Sequence, residues 1–378
     1  VTLLIPCLNE AETIARVVGK ACDALRHLAI EGEVLVADNG SSDGSQSLAE
    51  AAGARVVHVP VRGYGAALIG GIREARGRWI IMGDADDSYD FSAIAPFVER
   101  LRAGDDLVMG SRLRGTILPG AMPPLHRWLG NPVLTAIGNL LFRTRVSDYH
   151  CGLRGFSTER ARALDLRTTG MEFATELVVK MALHGARISE IPITYYPDGR
   201  SRRPHLRTWR DGWRHLKFML MLSPVWVFIV PGLALLLIAL AGLASALLTD
   251  APIMPNGFSP QLAAQISFSA LVLLAAQMLI FGVLARLYAG KMKLLPVPPF
   301  WRWLEDALSI DHGLIAGGLM GALSIGVLAW AISASALGGL LLGLLLLALA
   351  AQCVFMSFVV SLIRIKDSFE QPGSSSMT

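Results

Sequence analysis

Gly83-Asp84-Ala85-Asp86-Asp87 follows directly on the apolar run Trp79-Ile80-Ile81-Met82. Two carboxylates at i and i+2 beyond a buried strand can approach one hard cation. Mg2+ and Mn2+ take oxygen ligands of this kind and can bridge a diphosphate. Such an ion neutralises charge building on a departing nucleoside diphosphate. An acidic surface loop is the competing reading, and the position after an apolar strand weighs against it. Two more segments offer polar groups in the same setting, Pro6-Cys7-Leu8-Asn9-Glu10 and Asp38-Asn39-Gly40-Ser41-Ser42-Asp43-Gly44. Their carboxylates and amides can bond a base and ribose hydroxyls, or serve as turn and helix-cap groups. Arg62-Gly63-Tyr64-Gly65-Ala66-Ala67 leads into a helix. Its small residues allow a phosphate or sugar close to the backbone at a helix N-terminus, although it lacks the Walker lysine.

The elements that must position these groups alternate. Short apolar strands are predicted at 1–6, 33–37, 54–59, 79–83 and 106–109, with helices near 11–28, 44–52, 64–76 and 91–103. This alternation predicts an α/β domain with a mostly parallel sheet, whose ligands bind beyond the carboxyl ends of the strands. All the acidic and glycine-rich segments fall at those ends.

The second half of the chain is of another kind. Of 378 residues 53% are hydrophobic, too many for an ordinary soluble enzyme, and from residue 225 to 363 charges nearly vanish. Four stretches, about 225–248, 262–285, 313–334 and 336–363, reach the roughly 20 apolar residues that cross a bilayer. Residues 1–208 therefore read as a catalytic domain, 209–223 as a juxtamembrane amphipathic helix, 224–366 as a membrane domain and 367–378 as a polar tail. A second interfacial helix is expected at about 297–311, because both amphipathic segments mix Trp with Arg. Arg286, Lys291, Lys293 and Arg302 lie between spans two and three, Arg364 and Lys366 follow span four, and the first loop carries only Asp250. Positive residues stay inside, so the front domain, middle loop and tail are expected in the cytosol, on a multi-pass plasma-membrane protein. No basic n-region or cleavage site precedes the apolar run 1–5, in keeping with that side. Gln277 and Gln352 are expected to face other helices. The Ala-Ala-Gln shared by spans two and four reads either as a trace of duplication or as chance. The four cysteines show neither metal-ligand nor disulfide spacing, which fits a reducing compartment.

Taken in order, these motifs resemble the family 2 glycosyltransferases, which have a GT-A fold, and among them the polyprenyl-phosphate glycosyltransferases such as dolichyl-phosphate mannose and glucose synthases. The ordered set continues with Gly110-Ser111-Arg112, then 148–156 from Asp148 to Phe156, then Pro197-Asp198-Gly199-Arg200-Ser201-Arg202. The resemblance implies that Asp84 and Asp86 hold Mg2+ or Mn2+ with the donor diphosphate, and that Ala85, Arg62 and Gly63 lie along the donor. It implies a nucleoside pocket of Pro6, Asn9, Glu10 and Asp38. Arg112 and Arg127 are implied to receive the lipid phosphate, and Arg202, with Arg200, to close over the donor phosphates. Many members place Leu-Gln after the second aspartate; here Asp87-Ser88 stands there, which leaves a third metal ligand open.

The expected partners are a nucleotide-sugar donor, a polyprenyl phosphate acceptor and the membrane, with a homo-oligomer as an open alternative. Nucleic acid is disfavoured, because the basic run Arg200, Arg202, Arg203, Arg207, Arg210, Arg214 and Lys217 abuts a membrane span. Near anionic headgroups each such charge is worth about 1 kcal/mol. A phosphate monoester is largely dianionic near neutral pH, its second pKa being roughly 6. The acceptor therefore needs placement and charge shielding by Arg112 more than a strong base. Asp148 reads either as a group that orients the acceptor or acts as a base, or as a loop or helix-cap carboxylate supporting the fold. Glu172 and Glu176 face either the active site or solvent. UDP-glucose is the favoured donor, with GDP-mannose second. The alternatives are a processive polysaccharide synthase, which lacks its Gln-x-x-Arg-Trp signature here, and a membrane scaffold that kept the fold.

Overall fold

The computed structural model of the chain describes residues 1–201, 208–249, 259–292 and 294–369. Of the residues singled out above, Arg202, Arg203, Arg207, Asp250 and Lys293 lie outside the described residues, as does 370–378 of the tail. The chain forms two units, Val1–Met221 and Leu222–Thr378.

In chain order the first unit contains β1 (Thr2–Cys7), α1 (Ile14–His27), β2 (Glu33–Asp38), α2 (Ser45–Ala51), β3 (Arg55–His58), α3 (Tyr64–Glu74) and β4 (Trp79–Met82). It continues with α4 (Ala95–Arg102), β5 (Leu107–Ile117), α5 (Asn131–Phe142), β6 (Arg154–Ser157), α6 (Thr158–Ala163), α7 (Phe173–Leu183), β7 (Ile188–Tyr195) and α8 (Thr208–Met221). The strands form one sheet in the order β3-β2-β1-β4-β6-β5-β7, parallel throughout except that β6 runs against both of its neighbours. β1 is buried along its whole length. One face, Leu3 and Ile5, packs with Ile14, Val17, Phe91 and Phe97. On the other face, Leu4 lies so close to Gly71 of α3 that a Cβ there would meet its Cδ1 at 2.3 Å. Burial on both faces is why β1 reads as an unbroken apolar run. α1 buries Ile14, Val17, Val18, Ala21, Ala24 and Leu25, the three- and four-residue spacing of one helix face.

Register sets the site. Cys7 at the end of β1 pairs with Asp38 at the end of β2, and Leu4 pairs with Met82 at the end of β4. Strand order reverses around β1, which opens a crevice beyond these carboxyl ends. The segments 6–10, 38–44 and 83–90 all leave the sheet there.

The second unit has α9 (Val230–Leu248), α10 (Pro260–Lys291), α11 (Pro299–Ala307), α12 (Ile310–Ser333) and α13 (Leu337–Phe369). Among the described residues four segments are long and apolar enough to cross a membrane, Val225–Leu248, Pro260–Lys291, Ile310–Ser333 and Leu337–Ile363. Small residues bring the helices together. Gly242 lies under the ring of Phe268, Gly313 faces Ser357 and Gly317 faces Val354. The Ser324 hydroxyl donates to the Gly343 carbonyl at 2.7 Å. The expectation for Gln277 needs correction, while Gln352 keeps its side-chain oxygen buried. Gln277 lies exposed on the surface of the unit, whereas Gln265 makes a helix–helix bond, donating to the Ala246 carbonyl at 3.2 Å. A single polar residue in an apolar run does not reveal which side of the helix it occupies. α11 leaves Phe300 and Trp303 exposed, the composition of an interfacial helix.

Candidate active site

A cavity of about 790 Å³ opens at the carboxyl ends of β1 and β4 in the first unit. Of the residues selected from sequence, Pro6, Glu10, Arg62, Gly63, Asp84, Ala85, Asp86 and Arg112 line it, and Arg200 lines it with them. Asn9, Asp38, Asp148 and Arg127 stand outside its wall.

The acidic pair sits at the centre. Asp84 accepts one hydrogen bond, from the Tyr64 hydroxyl at 2.8 Å. Burial, and then the charge of Asp86, push its carboxyl up to about 7. Asp86 accepts from the Ser88 amide at 3.0 Å and hydroxyl at 2.5 Å through one oxygen, and meets Arg200 at 3.1 Å through the other. The third carboxylate, Asp87, turns away. Its φ of 62° carries the side chain to α1, where Lys20 lies at 2.8 Å and Arg16 at 3.4 Å. Among the described residues no group of three His, Cys, Asp or Glu forms a metal cage. The two aspartates nonetheless fit a hard divalent cation that takes its other ligands from a diphosphate and water, the usual Mg2+ arrangement. A carboxyl raised by its neighbour's charge is one that a cation would favour in its ionised form.

Arg200 ties the rim together. Its guanidinium donates to Glu10 at 2.9 Å, to Asp86 at 3.1 Å and to Asp198 at 2.8 Å. The Gly199 amide donates to the Asp86 carbonyl at 2.8 Å, so the segment after β7 is pinned to the acidic loop.

Asp38 and Asn9 act one layer behind the wall. The Asp38 carboxylate is filled by its own loop, accepting from the Gly40 amide, the Ser41 amide and the Gln46 side chain. Burial alone would raise its carboxyl; these bonds outweigh burial and hold it below the ordinary range. The Asn9 side chain accepts from the Ser42 amide at 2.8 Å and joins the two loops. Asn39, the amide of that segment that was not singled out with Asp38, is the member of this loop that lines the cavity. It donates to the Val59 and Val61 carbonyls and accepts from the Gly63 amide.

The glycines of the 62–67 motif also have a use within the fold. A Cβ on Gly63 would meet the Thr169 carbonyl oxygen at 2.1 Å, and one on Gly65 the Thr168 carbonyl oxygen at 2.2 Å. What comes close to them is the chain's own 168–170 backbone. Glu176 and Lys180 hold that backbone in place. They pair at 2.7 Å, both almost wholly buried. Glu176 accepts from the Thr168 amide and hydroxyl, while Lys180 donates to the Asp165 carbonyl. Glu176 is thus a structural group. Glu172 is partly buried and paired loosely with Arg214, at 3.7 Å.

Asp148 is fully buried and clasps Arg112 through two side-chain bonds of 2.7 and 2.8 Å and one from the Arg112 amide at 3.1 Å. Burial would raise its carboxyl, but the Arg112 charge and these bonds hold it below the ordinary range. A carboxylate this engaged and this remote from water positions Arg112 and has no surface from which to take a proton. Arg112 itself lies over the Tyr195 ring at 5.2 Å. Arg127 stacks on its neighbour Trp128 at 5.0 Å, and His126 takes the cavity position instead. The helical turn His126–Gly130 rotates one of these adjacent residues inward and the other out. Local sequence carried no signal of that phase.

Residues 2–164 match the family described as Glycosyl transferase family 2, and residues 283–364 match the Glycosyltransferase family 2 C-terminal transmembrane region. The low-salt glycan biosynthesis hexosyltransferase Agl6 of Haloferax volcanii is 36% identical over 320 residues, covering 84% of this chain and 76% of that one. A dolichyl-phosphate hexose transferase of the same organism is 30% identical over 190 residues, covering 50% of this chain and 78% of that one. A crystal structure of glucosyl-3-phosphoglycerate synthase from Mycobacterium tuberculosis, with Mn2+, UDP and glucosyl-3-phosphoglycerate, is 23% identical at a TM-score of 0.46, covering 58% of this chain and 78% of that one. With a GT-A sheet, an acidic pair at its switch point and a membrane unit of matching family, this chain belongs to glycosyl transferase family 2 and is a membrane glycosyltransferase.

Proposed function

We propose that the protein moves a hexose from a nucleotide-sugar to polyprenyl phosphate, giving a polyprenyl monophosphate sugar and a nucleoside diphosphate. UDP-glucose is the favoured donor and GDP-mannose the second. The reaction is placed at the cytosolic face of the plasma membrane. The observation that carries this reading is a cavity holding both an acidic pair and a cationic acceptor side, in a chain with four membrane-length helices. The names of two relatives, a hexosyltransferase and a dolichyl-phosphate hexose transferase, support it.

The donor diphosphate lies at Asp84 and Asp86, and the backbone at Ala85 allows close approach because its side chain is small and buried. A bound Mg2+ or Mn2+, held by Asp84 and Asp86, would supply charge neutralisation for the leaving diphosphate. Pro6, Glu10 and Arg62 flank the nucleotide, with Asn9 and Asp38 fixing the loops that carry them. Arg200, and Arg202 beyond it, shield the donor phosphates. Arg112, oriented by Asp148, faces the acceptor phosphate and lowers its repulsion from the donor. The acceptor oxygen is already ionised, so attack on the anomeric carbon needs no proton removed, and direct displacement inverts that centre.

The test is incubation of the purified full chain with polyprenyl phosphate, Mn2+ and a panel of nucleotide-sugars. Nucleoside diphosphate should appear only when the lipid is present. Equal release with and without lipid contradicts the proposed acceptor.

A further inference from the structure

α8 is more than a surface anchor. Successive residues on a helix turn by about 100°. Trp209 and Trp213 therefore share one face, and both are exposed. Asp211, His215 and Met219 share another, and all three are buried. His215 is fixed there: its Nδ1 lies 2.8 Å from the Thr175 hydroxyl, and its ring meets that of His150 edge-on with centroids 4.5 Å apart. This buried stripe sets the rotation of the helix. Arg210 and Arg214, one turn apart, fall on the border between the tryptophan face and the buried face. Both are exposed and both line the cavity.

The arginines of the cavity differ in what they have left to give. Arg112 is clasped by Asp148, and Arg200 is shared among three carboxylates. Arg62 lies beside Gly40, on the nucleotide side. Among the described residues, the ion pairs of Arg210 and Arg214 are longer, 3.4 Å to Asp211 and 3.7 Å to Glu172. Charge-assisted bonds run about 2.7–2.9 Å, so both pairs are loose. A phosphate monoester dianion calls for two positive charges, and this pair supplies them where an amphipathic helix turns from protein to its aromatic face.

We infer that Arg214, with Arg210 one turn before it, receives the phosphate of the lipid acceptor, so that α8 forms the acceptor wall of the active site. This rests on the proposed acceptor. The tryptophan face lies against the lipid surface, the buried stripe holds the helix to the catalytic unit, and the two guanidinium groups stand at the entry between them.

The experiment measures KM for both substrates in detergent, with a short-chain polyprenyl phosphate, for the wild-type full chain and the variants Arg214→Gln, Arg214→Lys and Lys217→Gln. Lys217 is an exposed charge of the same helix that does not line the cavity. Loss of a bidentate charged contact should raise the acceptor KM of Arg214→Gln by about tenfold or more. Its donor KM should stay within about twofold, since only the acceptor contact is removed. Arg214→Lys should recover only part of the loss, because an ammonium lacks the planar fork. Lys217→Gln should behave as wild type. An unchanged acceptor KM in Arg214→Gln overturns the inference. So does an equal loss in Lys217→Gln, which indicates general surface charge, or an equal rise in donor KM, which indicates a damaged fold. A wild-type chain that transfers sugar to another acceptor but not to polyprenyl phosphate overturns the proposed function, and this inference with it.

Discussion

Replacing Asp84 with asparagine should abolish sugar transfer and make the protein more stable. Burial, and then the adjacent Asp86, raise the Asp84 carboxyl from 3.8 to about 7. Between those two values the folded state binds more protons than the unfolded state, so stability falls as pH rises through that window. At about 1.36 kcal/mol per pH unit, the difference between 3.8 and about 7 sets a ceiling of ~4 kcal/mol. Asp84 keeps part of its surface in solvent, and screening reduces the expected cost to about 1–2 kcal/mol. Asparagine removes this cost and still accepts from the Tyr64 hydroxyl, now at 2.8 Å. For a unit of this size each kcal/mol moves Tm by about 2–4 °C. Asp84→Asn should therefore melt about 2–8 °C above wild type near pH ~8 in chelator. By pH ~5 the gain should shrink to about a third, because most of the window has been crossed. Adding Mn2+ should raise the wild-type Tm and leave the variant nearly unmoved, since a ligand stabilises only a state that binds it. Scanning fluorimetry on the detergent-solubilised full chain reads all three conditions. A variant no more stable than wild type near pH ~8, or a gain that grows on acidification, refutes the reasoning.

Glu176→Ala leaves Lys180 buried without its partner and should cost about 3–5 kcal/mol; Glu176→Ala combined with Lys180→Met should recover much of that in a denaturant melt. Gly65→Ala drives a methyl group against the Thr168 carbonyl and should cost about 1–3 kcal/mol, read as a lower Tm together with weaker nucleotide-sugar binding. Asp148→Ala strips the counter-charge from buried Arg112 and should lower both expression and kcat, whereas Asp148→Asn, which keeps one acceptor, should retain more folded protein and still lose most transfer. If Asp148→Asn keeps wild-type kcat, the positioning role assigned to that carboxylate is wrong.

The sequence was most legible where burial on both faces of the sheet writes apolar runs, as in β1, β2 and β4, and where a strand end exposes acids, as at Asp84 and Asp86. It was least legible in the second half of the catalytic unit. β6 is four residues that begin with a buried arginine, and β7 contains Ser189, Glu190 and Pro192, so neither has a clear strand pattern. Arg154 can be wholly buried because its guanidinium bonds the nearby Cys151 carbonyl and the Ala174 carbonyl, a partner that adjoins it only in the folded chain. The same limit applies at Gly63 and Gly65, whose neighbour is a backbone more than a hundred residues away, and at Arg127, whose helical phase no local residue reports. His150 and His215 come together from separate elements and left no mark as a motif.

The central claim is the chemistry of the product. Purified full-length protein, Mn2+, the donor selected from the panel and a defined polyprenyl phosphate should give a lipid whose mass increases by one hexose with no added phosphate. NMR of that product should show an anomeric centre inverted relative to the donor. A lipid carrying a hexose phosphate, a lengthening glycan chain, or retention at the anomeric carbon would contradict direct displacement by the lipid phosphate.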